Sequence, residues 1–386
     1  MSYKVCHLTT VHRPFDVRIF HKECKSLLQA GYDVTLIAQH EKDEVIDGIK
    51  IKALPKIENR VKRILNLPWI ALRKALEENA DVYHFHDPEL IPIGLVLKVK
   101  GKKVIYDIHE DVPRQILGKP YLNKLSASIV SCLFERFEDF SVRFFDALIV
   151  ATPCIASRFL RLNNCTVNVN NYPLLDELAG PSNWEKRTNA IAYIGGISKT
   201  RGVVELVKAL EYIDTVLHLA GNFDDQQLEE KLKSLPGWRK VIYYGYIDRT
   251  RVCDILHRVK VGVVTLHPTL NYFEGLPIKL FEYMSAGIPV VASNFPLWKE
   301  IVEGNNCGIC VDPLKPKEIA DAIRYLLEHS EEAKEMGENG RKAVEEKYNW
   351  ETESKKLLQV YRELLQEDQT EDYRPNLITK RILHFL

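Results

Sequence analysis

The chain has 386 residues, 46% of them hydrophobic, enough to fill two α/β cores rather than one. Its 53 basic and 53 acidic side chains cancel, so no global charge marks it as a nucleic-acid binder. The sequence contains no run of 18 apolar residues, the length a membrane-spanning helix needs. The first apolar segment, Val5–Thr9, is too short for a secretory signal, so a cytoplasmic location is expected.

In chain order, short β-branched runs alternate with stretches of helical period. Val5–Thr9, Asp33–Ala38, Lys50–Leu54, Asp81–His86, Lys103–Ile108, Ala147–Ala151 and Thr166–Asn170 are predicted strands. A helix is predicted over Phe20–Ala30, stopped by Gly31. The polar segment 179–189, with Gly-Pro and no periodicity, is predicted to be a linker. The alternation then resumes with strands at Ala190–Ile194, Val216–Ala220, Val241–Tyr244, Val261–Leu266, Pro289–Ser293 and Gly308–Val311. Two Rossmann-like parallel-sheet domains are expected, 1–178 and 190–350, facing a cleft beyond the carboxyl ends of their strands. Residues 351–386 form a helix and tail with the option of crossing back to the first domain. The eight cysteines are scattered, and most sit in apolar segments, which points to buried thiols. Cys307-Gly-Ile-Cys310 matches C-x-x-C, but it lies in a predicted strand with no second pair, so core packing is expected.

The most informative stretch runs from Asn271 to Pro289. Pro277 suits the first turn of a helix and Gly287 its end, so Glu274 falls in the preceding loop and Glu282 inside the helix. The rise per residue sets the two carboxylates about 10 Å apart. The helix N-terminus between them suits a phosphate. A second cluster is Gly195-Gly196-Ile-Ser-Lys199-Thr-Arg201-Gly202. There a strand ends in glycines that let a backbone approach a phosphate, followed by cations that neutralise it. Taken alone, each cluster also fits a solvated helix or a tight strand–helix turn.

Glu274-x7-Glu282 within EGLPIKLFEYMSAGIPVVAS resembles the motif of the retaining glycosyltransferases of family 4, which have the GT-B fold. The resemblance runs along nearly the whole chain. It implies transfer of a sugar from a nucleotide-diphosphate sugar, with retention of configuration, to a glycan or lipid-linked acceptor. It places Glu282 on the ribose and Glu274 facing the transferred sugar, with the backbone near Leu276 and Pro277 bordering the pocket. His109 matches a family histidine near the donor sugar, and Tyr246 lies in a segment like the strand end beside the base. The family reads Gly-Arg and then Lys-Gly at the glycine turn. Here Arg201-Gly202 fills the second place, but Gly196 stands where the arginine is expected, with Lys199 as a stand-in.

In the first half, His84-Phe-His86-Asp87 and Asp107-Ile-His109 end two strands, where converging titratable groups suggest a site. Asp16 and Arg18, in the loop after the first strand, read either as acceptor-side contacts or as a helix cap with a structural ion pair. No Asp-x-Asp motif or metal-ligand spacing is apparent. A reaction with no metal and no cofactor is therefore expected, the leaving diphosphate being stabilised by N–H groups and cations. The segment 60–74 mixes Arg60, Lys62, Arg63, Arg73 and Lys74 with Ile64, Leu67, Leu72 and Trp69, which reads as a weak, peripheral membrane-contacting helix. Two rivals of other classes are a nucleotide-sugar epimerase of similar fold and a non-catalytic two-lobed sugar-binding protein.

Overall fold

The computed structural model describes residues 2–118, 123–178 and 184–370. The chain folds as two compact units. One comprises the residues up to Asn171 and those from Glu353 onward; the other is Tyr172–Thr352.

The first unit holds β1 (Lys4–Leu8), β2 (Asp33–Gln39), β3 (Glu44–Ile46), β4 (Ile49–Leu54), β5 (Val82–Phe85), β6 (Lys103–Ile108), β7 (Ala147–Val150) and β8 (Thr166–Asn168). Their order across the sheet is β3-β4-β2-β1-β5-β6-β7-β8. All neighbours pair in parallel except β3, which folds back antiparallel on β4. Only β3 of that edge hairpin has no counterpart among the predicted strands. The second unit holds β9 (Ala190–Ile194), β10 (Val216–Ala220), β11 (Val241–Tyr243), β12 (Val261–Val264), β13 (Val290–Ser293) and β14 (Gly308–Val311). These form an all-parallel sheet in the order β11-β10-β9-β12-β13-β14. The central strands are buried along their length, as parallel strands covered on both faces must be.

Three features differ from the sequence reading. The predicted helix over 20–30 is a π-helix, Val17–Cys24, running into a short α-helix that ends before Gly31 at φ +93°. Asp16 caps it, its carboxylate accepting from the N–H groups of Arg18 and Ile19. The expected linker lies past the division at Asn171. Its residues 179–183 are outside the described residues, and Trp184 is buried in the second unit, donating to Ser330 Oγ at 3.0 Å. Cys307 is a core residue, as expected, its thiol pKa pushed up to about 12 by burial.

The third difference concerns the expected membrane face. In helix α1 (Arg60–Glu78), Leu67 and Leu72 pack into the core of the first unit, so the apolar side drawn through them faces protein, not lipid. Arg63 pairs with Glu89 and Lys74 with Asp43, leaving a smaller basic cluster than the sequence suggested. Among the larger apolar side chains that α1 exposes are Val61, Leu65 and Trp69. Helix α2 (Lys124–Ser141) exposes a longer stripe: Leu125, Ile129, Leu133, Phe137 and Phe140.

In the second unit, helix α3 (Ile278–Ser285) packs on β12 and β13. The last described helix, α4 (Trp350–Thr370), returns to the first unit at Glu353, whose carboxylate accepts from the Asn170 N–H at 2.8 Å. Residues 371–386 of the tail lie outside the described residues.

Candidate functional site

In the second unit β9 ends at Ile194 and turns through Gly195, whose φ of +133° favours glycine. An added Cβ there would stand 2.9 Å from Lys279 Nζ, so the ammonium lies directly against the turn. Gly221, at φ +138°, presses the same turn from β10, where any Cβ would meet the Gly195 carbonyl oxygen at 2.0 Å. Gly202 closes the following 3-10 turn, Lys199–Arg201, at φ +71° and with its Cα against the Thr265 carbonyl. The glycines therefore allow two close backbone approaches, Gly221 against Gly195 and Gly202 against Thr265.

Two cations converge on this turn. A Cβ at Gly196 would lie 3.5 Å from Arg201 Cζ, so the guanidinium lies over the turn. Burial pulls Arg201 down, while Tyr193, a hydrogen bond with Tyr272, and Asp224 raise it on balance. Lys279 comes from α3. Its ammonium sits 3.7 Å above the Tyr193 ring and has no hydrogen-bond partner among the described residues. Burial, then Arg201, holds Lys279 well below the usual lysine range, against the opposing pull of Glu282. A buried cation without an anion is costly, and the arrangement suits an incoming one. Lys199, the stand-in suggested by sequence, is exposed on the 3-10 turn.

The E-x7-E pair brackets the same helix. Glu274 is exposed and ends the short helix Leu270–Phe273. Its loop is anchored at the next residue, where the Gly275 carbonyl accepts from Trp298 Nε1 at 2.7 Å. Pro277 is the N-cap of α3 rather than its first turn and gives it no side-chain cap, so the helix presents a bare N-terminus beside half-buried Leu276. Glu282 is nearly buried and accepts from Arg249 Nη1 at 2.7 Å through Oε1, while Arg249 Nε donates to Glu177 at 2.5 Å. Gly287 ends the helix region at φ +67°, as expected. Tyr246 follows β11 and is 73% exposed, while the Gly245 carbonyl accepts from the Gly221 N–H at 2.8 Å.

The first unit gathers the remaining candidates at the ends of β1, β5 and β6. Asp87 is buried and accepts from Thr9 Oγ1 at 2.8 Å and from the Thr10 and Val11 N–H groups, so it shapes the loop after β1. Arg18 is 3% exposed. Its guanidinium forks onto both Asp107 oxygens at 2.9 and 3.0 Å and donates to the Val169 carbonyl at 2.9 Å. It is therefore an internal tie, not a surface contact, and the alternative of a structural ion pair describes it. Asp16 is the helix cap and pairs with His12 at 3.5 Å. Burial raises the Asp16 carboxyl, but the His12 and Ile19 hydrogen bonds outweigh that and hold it below the usual carboxylate range. His86 is buried and bonds Asp107 through Nδ1 at 3.1 Å. His109 is the more open of this pair, with Nε2 2.7 Å from Asp107 Oδ2 and its ring 5.1 Å from that of His12. Burial lowers His12, yet Asp16, Asp87 and Asp107 together raise it above the usual imidazole range. The sequence reading missed His12 and Lys279. His12 shows in the sequence only as one polar residue in a loop, and Lys279 as one charge on a helix.

Comparison with known proteins bears on the family regions and the fold. Residues 17–168 match the family model described as Glycosyltransferase Family 4, and residues 176–343 that described as Glycosyl transferases group 1. An uncharacterised glycosyltransferase of Methanocaldococcus jannaschii is 28% identical over 177 residues, 45% of this chain and 44% of that protein. In such matches the chain spans about half the length of the curated relatives. Among solved structures, sucrose-phosphate synthase from Thermosynechococcus elongatus superposes with a TM-score of 0.76 at 18% identity, covering 95% of this chain and 100% of that one. Anabaena HepE in complex with UDP and glucose gives 0.69 at 15% identity, covering 93% and 99%. Over both of its units, then, this chain carries glycosyltransferase family regions on a GT-B fold.

Proposed function

We propose that this protein transfers a sugar from a nucleoside-diphosphate sugar to a glycan or lipid-linked acceptor with retention of anomeric configuration. The observation that carries the reading is the buried, unpartnered Lys279 ammonium beside Arg201, at a glycine turn and next to a bare helix N-terminus. Two cations and a helix dipole converging on glycine backbone suit a diphosphate. Glu282, held in place by Arg249, accepts from the ribose hydroxyls. Glu274 faces the reacting sugar and stabilises the positive charge that develops there. On the first unit, His109 and His12 stand with their rings 5.1 Å apart, His109 held by Asp107. Family resemblance and the HepE complex with UDP and glucose support this assignment. The diphosphate charge is met by side chains and N–H groups, so neither a metal ion nor a cofactor is needed at the donor.

Lys279 also answers the missing arginine. Its ammonium occupies the space beside Gly195 that a cation one residue on, at position 196, would serve. Lys279→Met should weaken nucleoside-diphosphate binding by about 10- to 100-fold, the worth of a charge-assisted hydrogen bond. Adding Gly196→Arg to that variant should restore most of the loss, because a Cβ at Gly196 meets its neighbours only at ordinary contact distance. Calorimetry with the free diphosphate reads both. The lowered Lys279 adds a pH signature: above its ligand-free pKa, binding an anion draws a proton onto the amine. Diphosphate affinity should therefore fall as pH rises, with proton uptake visible as a dependence of the binding heat on buffer. A Lys279→Met variant binding like wild type would remove Lys279 from the site.

For membrane contact, the exposed α2 stripe is the better surface than the one drawn from sequence. Leu125, Ile129, Leu133, Phe137 and Phe140 recur at helical spacing, with Lys124, Arg136 and Arg143 exposed beside them. Wild type should co-sediment with anionic liposomes at low salt and less at high salt. Leu133→Glu with Phe137→Glu should abolish it, and equal sedimentation of that variant would exclude this face.

A further inference from the structure

Independent of the donor site, the first unit contains a histidine cluster with no role in the proposed reaction. His84 lies on β5 and His86 just past its end, two residues on, and His7 pairs with His84 across the β1–β5 ladder. Glu23 reaches the same place from the π-helix, a conformation often found at functional positions. All four are buried. One ligand-capable atom from each lies within 4.8 Å of the other three. His7 Nδ1 and His86 Nε2 are 2.9 Å apart, and each is 3.9 Å from Glu23 Oε2. A tetrahedral zinc ion with bonds of about 2.0–2.1 Å separates its ligand atoms by about 3.3 Å, so these spacings straddle the required value.

The polar atoms around the cluster point the same way. His84 Nε2 and both Glu23 oxygens accept no hydrogen bond among the described residues, though Glu23 Oε1 lies 2.9 Å from Arg18 Nε as an ion pair. The opposite ring nitrogens are held from outside. His84 Nδ1 and His7 Nε2 meet Tyr361 Oη at 2.8 and 3.3 Å, and His86 Nδ1 meets Asp107 at 3.1 Å. That is the pattern by which ligating imidazoles are oriented, one nitrogen fixed from outside; the inner nitrogen of His84 has no partner among the described residues, and those of His7 and His86 face each other across the 2.9 Å contact that an ion would replace. Glu23 and Asp107 are both buried against the Arg18 guanidinium, with His86 and His109 also on Asp107.

We infer that His7, His84, His86 and Glu23 bind one divalent transition-metal ion, zinc by the three-imidazole, one-carboxylate donor set. With four protein ligands and no exposed face, the ion is structural. It ties the π-helix to β1 and β5 and, through Tyr361, fixes the returning helix α4.

The test uses the full-length, untagged chain purified without chelator from zinc-supplemented cells. Elemental analysis should find about one zinc per chain. Stripping with a strong chelator should lower the melting temperature, and zinc should restore it. Cobalt loading should give the visible bands of a tetrahedral site without thiolate charge transfer. Glu23→Gln and His84→Gln should each lose the ion; should either fail to fold, the cobalt spectrum of wild type decides. Less than a tenth of an ion per chain with a melting temperature indifferent to zinc would overturn the site. So would a thiolate-type cobalt spectrum, or retention of the ion by folded Glu23→Gln and His84→Gln variants.

Discussion

Glu274→Gln should lower turnover by about 10²- to 10³-fold while leaving nucleoside-diphosphate affinity within about twofold. The carboxylate stands on an exposed loop ahead of α3, apart from the Lys279 and Arg201 side chains proposed to hold the diphosphate. Its charge matters where the sugar carbon becomes positive, and an electrostatic contact made mainly in the transition state is lost from kcat rather than from binding. Glutamine keeps the shape and removes only the charge. The loop should not collapse, because its anchor is the Gly275 carbonyl held by Trp298. Steady-state kinetics and calorimetry on the same preparation separate the two terms. Equal, mild losses in both would make Glu274 a positioning residue.

The second large effect is on stability. Arg18→Met should cost about 3–5 kcal/mol in the first unit, the usual result of removing one partner from a buried ion pair. Asp107 would lose both arms of its fork, Glu23 its paired guanidinium, and the Val169 carbonyl a donor. Hydrogen exchange should report faster opening in β1, β6 and the π-helix, with peptides of the second unit unchanged, since a two-unit chain need not unfold in one step. Nucleotide affinity should survive. A fully stable Arg18→Met protein that lost only turnover would return Arg18 to the acceptor.

These residues also show where sequence stops being informative. The parallel sheets were legible because buried strands need continuous apolar, β-branched runs, and segments such as ALIV at 147–150 or VVAS at 290–293 read unambiguously. The E-x7-E helix was legible because glycine and proline mark its ends. The π-helix was not, since eight residues are too few to separate its period from that of an α-helix. Arg18 and Asp107 are 89 residues apart, and nothing local announces their pairing. The metal-type cluster is hidden for the same reason: His7, Glu23 and His84 come from three elements that only the fold of the first unit brings together. Lys279 sits between Ile278 and Leu280 and reads as a solvated charge. Its burial becomes visible only when the Gly195 turn is seen to leave room for it. The α1 segment misled in the opposite direction, because an apolar stripe looks alike whether it faces lipid or its own core.

One calorimetric series decides whether the second unit holds the proposed nucleoside-diphosphate site. Wild type and Glu282→Ala are titrated with UDP, GDP and ADP and with the matching monophosphates. One diphosphate should bind wild type at least about tenfold more tightly than its monophosphate, because the second phosphate would meet Lys279 and Arg201. Glu282→Ala should weaken that diphosphate by roughly 10-fold or more, the ribose having lost a charged acceptor. Absence of binding by all three diphosphates, or equal binding of di- and monophosphate with Glu282→Ala unchanged, would contradict that site.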